Sequence, residues 1–158
     1  YNIKDDLLYC CVKMIEIFNG ALNEREIFAR WDEIAAAQNC GALALFVGLV
    51  RSGEEGEALS FDIYEPLLKG WFNTWENKAQ KGGATLLMAH SKGDVPAGKS
   101  SFIAGAISPH RRAALELLGE FVEDFKASAP IWKYDVKEGK RLYARSRSKA
   151  IAGAGILG

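Results

Sequence analysis

The chain has 158 residues, which is enough for one domain with a substantial core and too few to expect two. Hydrophobic residues make up 49% and charged residues 25%, as in an ordinary globular protein, and no apolar run of about 18 residues predicts a membrane span. The net charge of zero argues against a chain-wide field for nucleic acid or membranes. Charge is nevertheless unevenly spread, since residues 126–149 contain eight basic and two acidic side chains.

The three cysteines, Cys10, Cys11 and Cys40, have no Cys-x-x-Cys spacing, and only two histidines could join them as metal ligands. The sequence therefore predicts no metal site and no bound cofactor. Adjacent cysteines without a recognisable secretory signal favour a reducing cytoplasm. None of the three lies in a segment that looks catalytic, so any sulfur chemistry would use sulfur from another molecule.

The first third of the chain predicts an N-terminal extension, a strand, a helix and a second strand, at residues 1–13, 14–18, 23–39 and 41–50. Asn23 suits the helix N-cap, because its side chain can accept from a free backbone N–H group. The second strand is short and almost continuously apolar, which predicts a central strand buried on both faces, with a bulge or close backbone approach at Gly48. Arg51 then lies at the strand's end, at the mouth of an acidic loop over residues 52–57.

The middle of the chain predicts a strand, a helix and two further strands, at residues 58–64, 66–81, 84–90 and 100–107. Pro66 fits the first turn of the helix, whose apolar stripe places Trp71 and Trp75 in the core. Turn-forming residues at Gly93, Pro96 and Gly98 predict a loop over 91–98.

The longest predicted helix follows Ser108 as N-cap and Pro109 as first helical residue. Its apolar stripe has helical spacing and consists of Ala114, Leu117, Leu118, Phe121, Val122 and Phe125. Pro130 ends it. His110 and Arg111 lie roughly 22 Å from Lys126 along the axis, so one small ligand cannot touch both ends. Either the ends serve unrelated purposes, or a second copy brings its helix start near this Lys126.

Two more strands are predicted at residues 131–136 and 141–145, and residues 146–158 are predicted to be a flexible C-terminal tail. The order of elements predicts a single α+β domain over residues 14–145. Its sheet is expected to be mostly antiparallel, with the helices packed on one face.

Five cations beside apolar segments form a candidate site: Arg51, His110, Arg111, Lys126 and Lys133. An anion is their natural complement, because arginine donates bidentate hydrogen bonds to phosphate and a helix start adds oriented N–H groups. A lysine at an apolar border is disfavoured in its charged form, which suits proton transfer or nucleophilic attack. Each cation also has an ordinary interpretation, such as a helix-end, exposed-strand or ion-paired residue.

Known motifs for hydrolytic nucleophiles, nucleotide phosphates, dinucleotides and metalloproteases are missing from the sequence. Four blocks are distinctive instead: Gly41-Ala42 through Phe46-Val47-Gly48-Leu49-Val50-Arg51; His90 with Gly93, Pro96 and Gly98; Ser108-Pro109-His110-Arg111; and Phe125-Lys126-Ala127-Ser128-Ala129-Pro130-Ile131-Trp132-Lys133. Together they resemble the large, catalytic subunit of molybdopterin synthase. The resemblance covers about residues 14–145 and agrees with an α/β hammerhead-like fold.

The resemblance implies a sulfurtransferase of molybdenum-cofactor biosynthesis, which converts cyclic pyranopterin monophosphate into molybdopterin. Sulfur would arrive on the C-terminal thiocarboxylate of a small ubiquitin-like partner, and a homodimer of this chain would form the centre of a heterotetramer. The family's catalytic lysines match Lys126 and Lys133. Its substrate-binding residues match Arg51, His110, Arg111 and Arg145, of which the histidine and its neighbour act from the second large subunit.

The acidic loop at 52–57 departs from the family pattern, as does Ser91-Lys92, where arginine is common. Two alternatives stay open. One is a noncatalytic regulatory module that binds a phosphorylated metabolite without converting it. The other is a nucleic-acid-binding domain that uses basic residues 126–149 and loses affinity steeply with salt.

Overall fold

The computed structural model describes residues 13–52 and 56–144. Its elements, in chain order, are β1 (Ile15–Asn19), α1 (Glu24–Ala37), β2 (Ala42–Leu49), β3 (Ala58–Ile63), α2 (Glu65–Lys81), β4 (Thr85–Pro96), β5 (Ser100–Ser108), α3 (Arg111–Ser128), β6 (Ile131–Lys137) and β7 (Lys140–Tyr143). Arg145, the predicted tail and nearly all of the predicted extension lie outside the described residues. Within those residues, no helix is both long and apolar enough to cross a bilayer.

The strands form one seven-stranded sheet in the order β2-β5-β4-β3-β6-β7, and β1 adds to β4. The β1–β4 pairing is parallel, whereas the other five pairings are antiparallel. The predicted α+β domain with a mostly antiparallel sheet is therefore confirmed.

The helices cover both faces of the sheet, which corrects the prediction that they share one face. Side chains alternate along β5, so that Phe102 packs with α2 and α3, whereas Ile103 packs with α1. The approach of α1 is close at Gly105, where a Cβ would lie 2.7 Å from the ring of Trp31. The apolar stripe of α1 showed which side of the helix is buried, but not which face of the sheet receives it.

The strand β2 lies at an edge of the described sheet, so the prediction of a central strand was wrong. Its outward side chains Leu45, Val47 and Leu49 are 37%, 41% and 59% exposed. The predicted irregularity at Gly48 is confirmed, because the register with β5 shifts there and a Cβ would lie 3.3 Å from Phe102. A continuous apolar run thus marks an edge strand with one uncovered apolar face.

The strand β4 continues through most of the segment that was predicted as a loop. Its first part, Thr85 to His90, pairs with β5, and Gly93 to Pro96 pair with β3. Gly93 has a φ of +80°, which side-chain-bearing residues rarely adopt, at the point where the strand changes partners. The glycine that suggested a loop therefore marks a bend within a strand.

The helix α3 begins later than predicted. Its N-cap is His110, and Ser108 ends β5, where its Oγ accepts a hydrogen bond from the His110 backbone N–H at 3.4 Å. The predicted apolar stripe is confirmed, since Ala114, Leu118, Phe121 and Val122 are buried. The helix ends at Ser128, just before Pro130.

Candidate active site

A cavity of 650 Å³ lies where the end of β2, the end of α3 and the start of β6 meet. Its walls are largely aromatic and aliphatic, and include Phe46, Leu59, Phe61, Phe102, Phe125 and Ile131. Three predicted site residues line it together: Arg51, Lys126 and Lys133. Cations beside flat apolar walls suit an anionic ligand that carries a ring system.

The backbone of Val50 fixes the position of Arg51. The Val50 N–H donates to the Lys99 carbonyl at 2.9 Å, and the Val50 carbonyl accepts from the Gly98 N–H at 2.7 Å. The Val50 side chain is buried in a small cluster with Phe61. The exposed Arg51 side chain therefore extends from an anchored backbone.

The last turn of α3, which carries Lys126, is tied to α2. Asp124 accepts a hydrogen bond from the Trp75 indole at 2.7 Å and another from the Ser128 hydroxyl at 2.8 Å. These hydrogen bonds fix the last turn of α3 against α2. Lys126, in the same turn, is exposed and lines the cavity. The prediction that Trp75 belongs to the core agrees with its packing against the main cluster.

Aromatic rings form the wall beside Lys126. Phe125 stacks on Phe102, with 3.8 Å between ring centroids and 7° between planes. The Lys126 Nζ lies 5.9 Å from the centroid of Phe46, near the outer limit of a cation–π contact. The ammonium group is therefore at the border between solvent and an apolar surface.

Lys133 reaches the same cavity from β6. It lies directly opposite Phe61 in the antiparallel pairing with β3, and opposite residues project from the same face. The chain turns between α3 and β6 at Ala129, whose backbone is extended. This turn brings together two lysines that are seven positions apart in the sequence.

His110 and Arg111 do not line this cavity. Both are exposed at the opposite end of α3, roughly 22 Å from Lys126 by helix rise. Their neighbour Arg112 pairs with Glu116 at 3.1 Å. Within a single chain, the predicted site residues therefore form two separate groups, one at each end of α3. Arg145 lies outside the described residues.

His90 also lines the cavity and is a site residue that the sequence patterns did not predict. It is 2% exposed, and its Nδ1 lies 2.7 Å from the Ser91 carbonyl oxygen. Burial lowers the pKa of His90 to about 4; the Ser91 hydrogen bond opposes this shift and the charge of Lys133 adds to it. The imidazole is therefore neutral at pH 7. The sequence signal that could have identified His90 was a histidine at the end of an apolar strand.

Metal ligands and cysteine sulfur do not contribute to the described cavity. Between residues 13 and 144, with 53–55 set aside, no three His, Cys, Asp or Glu side chains are grouped to hold a metal ion. Cys40 packs on the α1 side of the sheet, and Cys10 and Cys11 lie outside the described residues. The described cavity is lined by cations, a neutral histidine and aromatic side chains.

Comparison with known proteins gives one consistent family. Residues 23–128 match the MoaE protein family. A molybdopterin synthase catalytic subunit from Helicobacter pylori is 50% identical over 144 residues, which cover 91% of this chain and 99% of that protein. A chain in the solved protein-protein complex of subunits 1 and 2 of molybdopterin-converting factor from Helicobacter pylori has a TM-score of 0.86 at 49% identity, covering 92% of this chain and 100% of its own. Molybdopterin synthase from Staphylococcus aureus has a TM-score of 0.71 at 22% identity, covering 84% and 97%, and supports the fold alone.

Proposed function

Because this chain belongs to the MoaE protein family, we propose that it is the catalytic subunit of a molybdopterin synthase, acting as a sulfurtransferase on cyclic pyranopterin monophosphate. That the chain is an enzyme of molybdopterin biosynthesis follows from its 50% identity to a molybdopterin synthase catalytic subunit over nearly the whole length of that protein. The observation that carries the proposal is the convergence of Arg51, Lys126 and Lys133 on one aromatic-walled cavity.

The sulfur donor that we propose is the C-terminal thiocarboxylate of a small ubiquitin-like subunit. The relative from Helicobacter pylori was solved as a complex of two subunits of molybdopterin-converting factor, which supports such a partner. A thiocarboxylate and a substrate phosphate are both anions, and the cavity offers three cations to bind them. The reducing cytoplasm that we propose as location would preserve the thiocarboxylate.

Each cation then has a distinct role. Arg51 binds the substrate phosphate with its forked donors. Lys126 assists proton transfer as the sulfur adds to the substrate side chain, and its position in the cavity wall supports this role because a proton-transfer group has to reach the reacting atoms. Lys133 orients the partner's tail or the sulfur-bearing intermediate.

A second copy of the chain supplies His110 and Arg111 to this cavity in our proposal. The two residues follow the end of β5, and Ser108 of β5 pairs with Ala42 at the start of the edge strand β2. The exposed apolar side chains of β2 on one face of that strand suit burial against another copy. A homodimer would thus complete two cavities by symmetry, each with one small subunit. Arg145 is proposed to contact the substrate as well.

The direct test is incubation of the chain with thiocarboxylated small subunit and cyclic pyranopterin monophosphate, followed by an assay for molybdopterin. The matched control is the same small subunit with an ordinary carboxylate terminus, which carries no sulfur to transfer. We expect product with the thiocarboxylate alone. Binding of the pterin without any product would favour the noncatalytic metabolite-binding module instead.

A further inference from the structure

His90 is an ionisable residue of the cavity for which the proposed reaction has no role. It ends the part of β4 that pairs with β5, directly opposite Phe102. The rings of Phe61, Phe102 and Phe125 surround it, at centroid distances of 5.0, 5.8 and 5.5 Å. The imidazole is therefore held in one orientation inside an aromatic wall.

The hydrogen bond to Ser91 determines which nitrogen carries the proton. A carbonyl oxygen can only accept, so Nδ1 is the N–H and Nε2 of the neutral ring carries a lone pair. Across residues 13–52 and 56–144, the structure records no hydrogen bond to Nε2. Nε2 is also not among the side-chain atoms that are both completely buried and without a hydrogen bond, so it is not completely buried. Nε2 is thus the polar atom of His90 that remains for the cavity.

Lys133 is the lysine that the sheet places beside this ring. Phe61 contacts the imidazole edge-on, with an interplanar angle of 83°, and Phe61 is the cross-strand partner of Lys133. His90 and Lys133 therefore contact or flank the same phenylalanine and line the same cavity. The other cavity cations, Arg51 and Lys126, come from β2's end and α3.

We propose that His90 is a positioning residue for Lys133, whose ammonium group donates a hydrogen bond to Nε2 once substrate and partner tail fill the cavity. The proposal rests on the proposed function. A carboxylate in this place would pair with the ammonium and hold its proton, whereas a neutral imidazole orients the group without a second charge. Such contacts are often long in a free enzyme and shorten in its complexes.

Two substitutions separate the two ring nitrogens. The amide nitrogen of His90→Asn can take the place of Nδ1 and keep the bond to Ser91, but no atom replaces Nε2. The amide oxygen of His90→Gln can take the place of Nε2 as an acceptor, but the bond to Ser91 is lost. Both are measured in the complex with thiocarboxylated small subunit, as kcat and KM for cyclic pyranopterin monophosphate.

We expect His90→Asn to lose roughly tenfold or more in kcat with little change in KM, and His90→Gln to stay within about threefold of the wild type. An active His90→Asn with an impaired His90→Gln would mean that only the bond to Ser91 matters, and equal losses would mean that only ring packing matters. Either result overturns the proposal. A wild-type enzyme that makes no molybdopterin would instead overturn the proposed function.

A second measurement does not depend on folding of the two variants. The ¹⁵N spectrum of the imidazole is recorded in the complex with pterin substrate and unsulfurated small subunit, for the wild type and for Lys133→Ala. We expect an unprotonated Nε2 whose resonance moves when Lys133 is removed. A protonated Nε2, or a resonance that does not respond to Lys133→Ala, contradicts the proposal.

Discussion

The two ends of α3 differ in what surrounds their basic residues. At the end of the helix, Lys126 lines a cavity with aromatic walls together with Arg51 and Lys133 from the same chain. At the start, His110 and Arg111 are exposed and line no part of that cavity. One chain therefore builds a binding surface at one end of the helix, and at the other end it presents only exposed basic side chains.

The largest expected effect is at the cavity end. Lys126→Ala should lower kcat by about a hundredfold or more, because a positioned proton-transfer group commonly contributes that much. Steady-state assays with thiocarboxylated small subunit measure the loss, and circular dichroism checks the fold. Lys137→Ala, at an exposed lysine on β6, is the matched control and should behave as the wild type. Near-normal turnover of Lys126→Ala would remove the lysine from the mechanism.

A smaller effect is expected at the helix start. Arg111→Ala should lower kcat/KM by roughly tenfold to a hundredfold, since a charge-assisted contact to the anionic substrate is lost. The matched control is Arg112→Ala, which removes only an exposed ion pair with Glu116. Equal behaviour of the two variants would mean that Arg111 does not serve the site.

The smallest effect concerns stability, and it involves the histidine of the cavity. The pKa of His90 is about 4 in the folded chain, against 6.5 for an ordinary histidine. Between these two pH values, His90 binds a proton in the unfolded chain but not in the folded chain. The effect of this pKa difference on stability is small above about pH 7, and the free energy of unfolding falls as the pH decreases from there toward 4. Between about pH 7 and about pH 5.5 the loss from this residue is about 1 kcal/mol.

Urea unfolding of the wild type and of His90→Gln at both pH values measures this difference. The variant has no titrating group at position 90, so its free energy of unfolding should fall by about 1 kcal/mol less than that of the wild type. An identical fall in both proteins would mean that His90 is not held neutral in the folded state.

Local signals in the sequence predicted most helices and strands. Where the structure differs from the prediction, the cause is the pairing of strands that are far apart in the sequence. The stripe of α3 and the N-cap Asn23, whose Oδ1 accepts from the Glu26 N–H at 3.3 Å, depend on neighbours a few residues away. The edge position of β2 depends instead on which strands pair, and the apolar run carries no information about that. Likewise Gly93 signals a change of backbone direction, but not whether pairing continues beyond it.

The candidate site likewise contains residues that the sequence predicted and one that it did not. The motif resemblance named Arg51, Lys126 and Lys133, and the structure brings these three together. His90 was overlooked because its position in the cavity depends on the bend of β4 and on three phenylalanines from β3, β5 and α3. The proposed role of His110 depends on how two copies of the chain assemble. A mixture of two variant chains therefore tests this role better than a single variant does.

If two copies of the chain complete each cavity, mixing Lys126→Ala chains with His110→Ala chains should restore activity that neither variant has alone. In a mixed dimer, one cavity receives both defects and the other receives none. With random exchange, verified by native mass spectrometry, about a quarter of wild-type activity should return. A mixture of Lys126→Ala with Lys133→Ala chains is the control and should stay inactive, because every cavity then keeps a defect. No recovery in the first mixture would contradict the claim and restrict the site to one chain.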